Sequence, residues 1–248
     1  MYRLDRLLSP DEYCETFLRE KRRYMAEHPL PWDEHFRSGR CTKAQLQGWA
    51  KDMYYWKLQV PIKDYGVLVG CPHIEIRRKW LLKAIEEDGE DIIGGKHVPH
   101  PEYWLKFCEG VGLSREYVIN AEPLPGVKFA VDHWTHGAAK SWLHGVAMSE
   151  TGDSAKGIAR NLETIRKHYS WIPEWALEFW TLHSEVDVEH SQLSMEILGK
   201  YCTTKELQEE CIEAMLTYQK IHRVMRDSVY LEYVVLDRQL PEGAQKAA

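Results

Sequence analysis

Long segments of helical pattern, separated by proline, glycine and short polar turns, constrain the fold of this chain more than any other feature. One segment follows Ser9, an N-cap residue, and places Pro10 at the first helical position, while another follows the N-cap residue Thr42. No set of alternating strand patterns lies between the segments. The sequence therefore predicts an all-α bundle of about seven main helices with short connections. In the second segment, Pro61 is expected to kink or divide the helix.

The chain length and composition are typical of one globular unit. It has 248 residues, of which 44% are hydrophobic and 28% are charged, so it can bury a substantial core. No linker-like stretch divides it, and we expect a single helical domain over residues 1–240. The last eight residues, "PEGAQKAA", predict a disordered tail over 241–248.

Charge and cysteine usage bear on partners and location. The net charge of -6 argues against a nucleic-acid or anionic-membrane partner. No apolar run reaches the roughly 18 residues that a membrane helix needs. The first residues lack the apolar core of a signal peptide, and the six cysteines form no Cys-x-x-Cys pair. We therefore expect a cytoplasmic protein with reduced thiols that binds neither nucleic acid nor membrane.

The stretch "FWTLHSEVDVEHSQ", residues 179–192, contains His183, Asp187 and His190 in the spacing His-x3-Asp-x2-His. At about 100° per residue, Asp187 lies roughly 40° from His183 around a helix and His190 roughly 20° on the other side. The three side chains therefore share one narrow stripe and can converge on a metal inside a bundle. A solvated polar face, or a buried histidine pair bonded to the aspartate, is the alternative interpretation.

A metal inside a bundle also needs ligands from facing helices. Glu150 ends a segment of small and apolar residues, and Glu86 and Glu87 end another, where acidic side chains oppose the helix dipole. His97 and His100 follow shortly after. Each of these could instead be a solvated helix end. Mixed carboxylate and imidazole ligands suit iron or manganese better than structural zinc.

A family resemblance covers most of the chain, from about residue 10 to residue 202. The sequence resembles the pyrroloquinoline-quinone synthase-like branch of the haem-oxygenase-like superfamily. The resemblance implies a haem-oxygenase-like bundle and a homodimer. It is carried by these stretches: "EHP" at 27–29, "QLQGWAKDMYYWKLQVPIKD" at 45–64, "RRKWLLKAIEEDG" at 77–89, "LPGVKFAVD" at 124–132, "HYSWI" at 168–172 and "DVEH" at 187–190.

Departures from that branch point to a related group. The quinone synthase is a cofactor-free oxidase that has a histidine at the position of Glu87 and lacks a carboxylate at Glu150 and a histidine at His183. In these features the chain is similar to the di-iron oxidases and oxygenases of the same superfamily. The resemblance implies the ligands Glu87, His100, Glu150, His183, Asp187 and His190. Glu86, Glu90 or His97 could take the place of Glu87 or His100 as a ligand.

The resemblance also implies a chemistry. Two Fe(II) ions, with manganese as an alternative metal, would activate O2 to oxidise a small, amino-acid-derived substrate, with an external electron donor as a further partner. N-oxygenation, C–C cleavage, decarboxylation and desaturation all occur in the superfamily, and the sequence does not choose among them. A cofactor-free quinone-synthase-like oxidase and a non-catalytic small-molecule-binding bundle stay open as alternatives.

A self-sacrificing enzyme similar to p-aminobenzoate synthase, which consumes its own Tyr and Lys side chains, also stays open. Tyr24 is in a suitable place for the tyrosine, but Arg160 stands near the expected lysine position, with Lys156 close by.

Several aromatic and histidine positions supplement these candidates. Tyr24, Tyr54, Tyr55 and Trp56 are candidate pocket residues, with a place in the core as the alternative. His133, His136 and His144 are expected in the polar core or around the site. The loop "DGEDIIGGKHVP" contains three glycines. Because ordering such a loop costs entropy, we expect mobility over 88–100 and weaker binding of the iron that depends on His100.

Overall fold

A computed structural model of the chain describes residues 2–89 and 98–245, and the described residues are helical with no strand, which confirms the all-α prediction. A 3-10 turn over Glu174–Leu177 and a π turn over Leu231–Val235 extend two of the helices. The α-helices in the described ranges are α1 Pro10–Glu27, α2 Pro31–Arg37, α3 Lys43–Gly70, α4 Ile74–Asp88, α5 His100–Gly110, α6 Arg115–Asn120, α7 Pro125–Ala138, α8 Trp142–Ala147, α9 Ser154–His168, α10 Glu178–Tyr201 and α11 Lys205–Tyr230.

Both predicted N-caps form reciprocal capping boxes. The Ser9 hydroxyl accepts from the backbone N–H of Glu12, whose carboxylate accepts from the Ser9 N–H. Thr42 and Gln45 repeat this arrangement at the start of α3. Pro61 lies inside α3 without dividing it, and α3 packs on several helices along its length. This packing offsets the backbone hydrogen bond that a proline removes.

The described helices are more numerous than the seven predicted from sequence. One reason is that the long segment starting at Pro125 divides into α7 and α8. Ser141 restarts the helix, because its hydroxyl accepts from the backbone N–H of His144. His133 and His136 lie exposed on α7, which corrects the expectation that they belong to the polar core.

A cluster of aromatic rings forms the core around α3. Trp49 lies at its centre, with its ring centroid 5.6 Å from that of Trp104, 5.7 Å from Trp32 and 5.9 Å from Trp180. These four tryptophans are at most 2% exposed and come from α2, α3, α5 and α10. Large rings with such burial contribute strongly to stability, and here they fix α10 against α3 and α5.

The C-terminal segment contacts the body of the protein as far as Gln245. The Ser114 backbone N–H donates to the Ala244 carbonyl at 2.9 Å, Ala244 is buried, and Gln245 forms an isolated bridge with Leu113. Residues 244 and 245, within the segment predicted to be a disordered tail, therefore contact the body of the protein. The tail beyond it lies outside the described residues.

Two further expectations concern thiols and membranes. All six cysteines are free thiols. Across residues 2–89 and 98–245, the helices lack the length and apolar character that crossing a membrane requires.

Candidate metal centre

Helix α10 carries His183, Asp187 and His190 on a buried face. Their exposed fractions are 8%, 6% and 6%, although all three are polar or ionisable. Residues at i, i+4 and i+7 share one side of a helix, and α10 packs against α5, α8 and α9. The solvated-face interpretation is therefore wrong for this stripe.

Three of the predicted residues come together from three different helices. Glu87 ends α4, His100 begins α5 and His183 lies in α10. One potential ligand atom from each lies within 4.8 Å of the other two. The His100 Nδ1 is 2.8 Å from the Glu87 Oε2, and the His100 and His183 ring centroids are 4.4 Å apart. This buried Glu–His–His group, called the triad below, could hold a metal ion.

In His183 and His190, a hydrogen bond at one ring nitrogen leaves the other nitrogen available to bind a metal. The His183 Nδ1–H donates to the Phe179 carbonyl at 2.8 Å, which leaves the Nε2 lone pair available. The His190 Nε2–H donates to the Glu86 carboxylate at 3.0 Å. The Nδ1 of His190 is buried and has no hydrogen-bond partner among the described residues. A hydrogen bond at one ring nitrogen of a metal-binding histidine commonly fixes its orientation in this way.

Burial shifts the pKa values of the ionisable side chains at this position. It lowers the pKa of His183 to about 3, with His100 adding to the effect, so the imidazole is neutral at pH 7. Burial would raise the pKa of Glu87, but His100 and Lys83 hold it well below its usual range. Burial raises the pKa of Asp187 to about 8, with further increases from Glu150 and Glu87.

The remaining predicted ligands are near the triad but less tightly grouped. Glu150 follows α8 and is 20% exposed. Asp187 forms no hydrogen bond or ion pair in the described part of the chain. Within those same residues, Glu150, Asp187 and His190 do not form a second group as compact as the triad. Glu86 contacts His190 from α4, whereas Glu90 and His97 lie outside the described residues, as does most of the loop predicted to be mobile.

Sequence reasoning missed a buried lysine beside the triad. The Lys83 Nζ lies 2.8 Å from an Asp64 carboxylate oxygen, 3.1 Å from Glu150 Oε2 and 3.7 Å from Glu87 Oε1. Asp64 also forms an ion pair with the ammonium of Lys63 at 2.6 Å. Lys83 and Glu87 are four residues apart on α4, which is a spacing that permits an ion pair. Lys83 therefore places a positive charge beside Glu87 and Glu150, which lowers the cost of burying these carboxylates.

A cavity of about 1010 Å³ adjoins these side chains. Glu87, His100, Glu150, His183 and Asp187 line one part of it, and the predicted pocket residues Tyr24 and Trp56 line another. A volume of this size suits a small organic molecule.

Tyr54 and Tyr55 do not line the cavity, which corrects the expectation for these two positions. Tyr54 is packed in the core, and the Tyr55 hydroxyl donates to Asp132 on α7 at 2.5 Å. Consecutive helix residues point about 100° apart, so a run of aromatics cannot all face one cavity.

Basic side chains also line the cavity. Lys57, from α3, is half-buried there, with aromatic rings around its ammonium group. Lys156 and Arg160 also line it, and Lys156 is 78% exposed and paired with Asp153 at 2.7 Å. The cavity is therefore lined by acidic, imidazole and basic side chains together.

Comparisons of the sequence with known proteins identify the family of the chain. A sequence model of the TENA/THI-4/PQQC family matches residues 18–242. The chain is 35% identical over 240 residues to a pyrroloquinoline-quinone synthase of Cronobacter sakazakii, covering 94% of this chain and 91% of the relative. It is 32% identical over 233 residues to a pyrroloquinoline-quinone synthase of Acinetobacter baumannii, covering 92% and 89%.

Solved structures share the fold at low sequence identity. A domain of unknown function with a haem oxygenase-like fold from Shewanella denitrificans superposes with a TM-score of 0.75 at 17% identity, over 98% of this chain and 99% of that one. A TenA homologue from Pseudomonas syringae gives 0.68 at 13% identity, over 92% and 98%. The predicted haem-oxygenase-like bundle and the predicted resemblance are both confirmed. The chain belongs to the TENA/THI-4/PQQC family.

Proposed function

We propose that the protein is a non-haem di-iron oxidase or oxygenase that uses O2 to oxidise a small, amino-acid-derived molecule. The observation that carries this proposal is the buried group of Glu87, His100 and His183, whose ligand atoms lie within 4.8 Å of one another at the edge of a cavity. Oxygen and nitrogen donors of this kind favour iron or manganese. Family membership alone does not carry the proposal, because one fold hosts many activities.

The donor chemistry around the triad fits a second cation. Asp187 is a buried carboxyl group whose pKa is raised to about 8 by burial and by the carboxylates of Glu150 and Glu87, and Lys83 and Lys57 oppose this only in part. The His190 Nδ1 is buried without a partner among the described residues. A cation near Asp187 and His190 would satisfy both groups. We therefore assign one ion to Glu87, His100 and His183, and the other to Glu150, Asp187 and His190.

Bound iron would supply the binding and reduction of O2. The chain's own residues supply the surroundings. Phe179 and Trp104 pack edge to face at 4.9 Å beside His183 and exclude water from that side. The Phe179 carbonyl and the Glu86 carboxylate orient the two histidines. Lys83 would release Glu87 and Glu150 to the metal and keep its ion pair with Asp64.

A cofactor-free oxidase is the second candidate, and Lys83 is the observation that favours it. With Lys83 neutralising Glu87 and Glu150, the carboxylates are stable without a metal, and the Glu87–His100 pair could transfer protons. The relatives at 32–35% identity are also named as pyrroloquinoline-quinone synthases.

The geometry gives less support to a self-sacrificing enzyme or to a non-catalytic binding bundle. Where the resemblance expects the donor lysine the chain has Arg160, and the nearby Lys156 is 78% exposed and paired with Asp153. A non-catalytic binding bundle would use the same cavity. An external electron donor, a homodimer and a cytoplasmic location are further parts of the proposal, and light scattering after gel filtration tests the dimer.

Oxygen uptake separates these functions. The protein is stripped with a chelator, reloaded anaerobically with Fe(II), and mixed with O2 beside a stripped sample. We expect rapid O2 consumption by the loaded protein, about one O2 for each pair of irons, and none by the stripped protein. The matched variant His183→Ala should lose this uptake, whereas exposed His133→Ala should retain it. Substrate-dependent uptake by the stripped protein would instead establish the cofactor-free oxidase.

A further inference from the structure

Lys57 lies on α3 among three aromatic rings in the wall of the cavity. Its Nζ is 4.1 Å from the centroid of the Trp56 ring, 4.3 Å from that of Phe179 and 5.0 Å from that of Trp104. The faces of aromatic rings attract a cation, so the three rings hold the ammonium group in position. They offer it no hydrogen-bond acceptor.

The ammonium of Lys57 also lacks an anionic partner. It forms no hydrogen bond or ion pair within 4 Å with any residue in the described part of the chain. Several basic residues of the same cavity do have partners. Lys21 donates to Thr151 at 2.7 Å, Arg37 pairs with Asp33 at 3.2 Å and Lys156 pairs with Asp153 at 2.7 Å. Three N–H donors of Lys57 are therefore available to a molecule in the cavity.

An unpaired ammonium at this depth is energetically unfavourable. Burial lowers the pKa of Lys57 to about 8, and the carboxylates of Glu87 and Asp187 only partly oppose this effect. The group is still cationic in most molecules at pH 7. An anion bound beside it would remove the cost of leaving the charge unpaired.

We propose that Lys57 binds the carboxylate of the substrate, which makes the substrate of this enzyme a small carboxylic acid. The Phe179 ring that contacts Lys57 at 4.3 Å also contacts the His183 imidazole, with a 4.0 Å distance between ring centroids. A single aromatic ring, that of Phe179, therefore contacts both the ammonium that would hold the carboxylate and the proposed metal ligand His183. The role of the bound acid as a substrate rests on the proposed function, whereas its binding at Lys57 does not depend on a metal.

Charge sets both the kind of anion and its orientation. One ammonium balances the single charge of a carboxylate, whereas a phosphate dianion is better matched by several donors or by arginine forks. The charged carboxylates of Glu87 and Glu150 line the cavity and repel an anion beside them. The molecule therefore binds with its carboxylate at Lys57 and its oxidisable end toward His183. The neighbouring tryptophan rings favour an apolar or aromatic portion beside the carboxylate.

Calorimetric binding to chelator-treated, metal-free protein tests the proposal. The probes are three acids (acetate, 3-phenylpropanoate and indole-3-acetate), the amide of each, and 2-phenylethylphosphonate as a dianion. We expect at least one aromatic acid to bind more tightly than its amide and more tightly than the phosphonate. Lys57→Met should lower the affinity for that acid roughly 10- to 100-fold, as expected for a hydrogen-bonded charge pair in a cavity. The affinity for the amide should not change. Lys57→Arg should retain part of the affinity.

Lys156→Met is the matched control, because Lys156 lines the same cavity but is exposed and paired with Asp153. It should leave acid binding unchanged. Circular dichroism and thermal unfolding establish that each variant is folded, and Lys57→Gln replaces Lys57→Met if the latter is not. Binding of no acid, equal binding of acid and amide, tighter binding of the phosphonate, or full acid affinity in a folded Lys57 variant would each overturn the proposal.

Repeating the titrations after metal loading separates this inference from the proposed function. If the protein takes up no iron but Lys57 still governs acid binding, the function is wrong and the carboxylate site stands. If iron binds and acid binding then depends on the metal but not on Lys57, the function stands and the carboxylate site is wrong.

Discussion

The Nε2–H of His190 donates to the carboxylate of Glu86 at 3.0 Å, and this bond leaves the buried Nδ1 of the same ring without a partner among the described residues. Glu86 is itself 40% exposed and comes from α4, so a helix distant in sequence sets the tautomer of a histidine on α10. In the proposed metal centre, Nδ1 would be the atom that holds the ion.

Removing the Glu86 carboxylate should weaken the binding of the metal ion that depends on His190. We expect Glu86→Ala to lower the affinity of that ion about 10- to 100-fold, because the imidazole loses both its preferred tautomer and its orientation. An anaerobic Fe(II) titration followed by calorimetry measures the effect. Glu189→Ala is the control, since Glu189 is an exposed neighbour of His190 on α10. Equal losses in the two variants would show that general charge, and not the hydrogen bond, is responsible.

Lys83 should matter more to the metal-free protein than to the metal-loaded protein. Without metal, Lys83→Met removes the buried ammonium that pairs with both Glu87 and Glu150, which should cost about 3–5 kcal/mol of unfolding free energy. Bound metal would replace the missing charge and restore much of the loss. Urea unfolding with and without Mn(II) measures both values.

The control for Lys83 is Lys79→Met on the same helix, because Lys79 is 58% exposed and only 3.9 Å from Glu196. Exposed ion pairs contribute little, so this variant should change the unfolding free energy by less than about 1 kcal/mol. A Lys83→Met protein that metal does not restabilise would contradict the assignment of Glu87 and Glu150 as ligands.

The two ions are predicted to bind with different strength. His190 is held within the continuous helix α10, whereas His100 follows a glycine-rich loop whose ordering costs about 1–2 kcal/mol per residue fixed. His100→Ala should therefore lose the weaker equivalent in an Fe(II) titration, and His190→Ala should damage the tighter one. The opposite order would show that the preformed contact between Glu87 and His100 outweighs the cost of ordering the loop.

The attachment of the N-terminal segment should depend on pH through Glu209. This buried carboxylate accepts from the Leu4 N–H and from the Arg3 guanidinium, each at 2.8 Å, and these bonds lower its pKa. Because the folded pKa lies below the unfolded value of about 4.3, the stabilisation is complete above that value and is lost as the pH falls through the folded pKa.

Urea unfolding from pH 3 to pH 7 checks this. Glu209→Gln should be less stable than wild type by a constant amount above about pH 5, and the difference should shrink in more acid solution. Exposed Glu210→Gln serves as the control. A difference that grows toward low pH would have the wrong sign for a carboxylate with a lowered pKa.

Local signals make much of the fold predictable. Ser9 and Thr42 mark helix starts through their own side chains, so the sequence is sufficient to locate them. The break between α7 and α8 is harder to predict, because Ala139 and Lys140 are good helix formers with no proline between them. Ser141 can be recognised as the N-cap of a new helix only when the tertiary packing of α8 is known.

The candidate site is predictable where the proposed ligands share one helix. The stripe of His183, Asp187 and His190 follows from helix periodicity, and all three are buried as expected. The place of Lys83 is not predictable, because its contact with Asp64 depends on how α3 packs on α4. The same holds for Lys57, since its three aromatic neighbours come from α3, α5 and α10.

Metal content tests the central claim most directly. The wild-type protein and the double variant His183→Ala/Asp187→Ala are expressed in iron-supplemented medium and purified without oxygen. Their metal content is then measured by inductively coupled plasma mass spectrometry. The account predicts about two irons per wild-type chain, as a paired carboxylate–histidine centre requires, and a large loss in the variant. Thermal unfolding of stripped wild type should also shift upward on addition of Fe(II). Wild-type protein that contains no transition metal and whose unfolding temperature does not respond to Fe(II) or Mn(II) would contradict it.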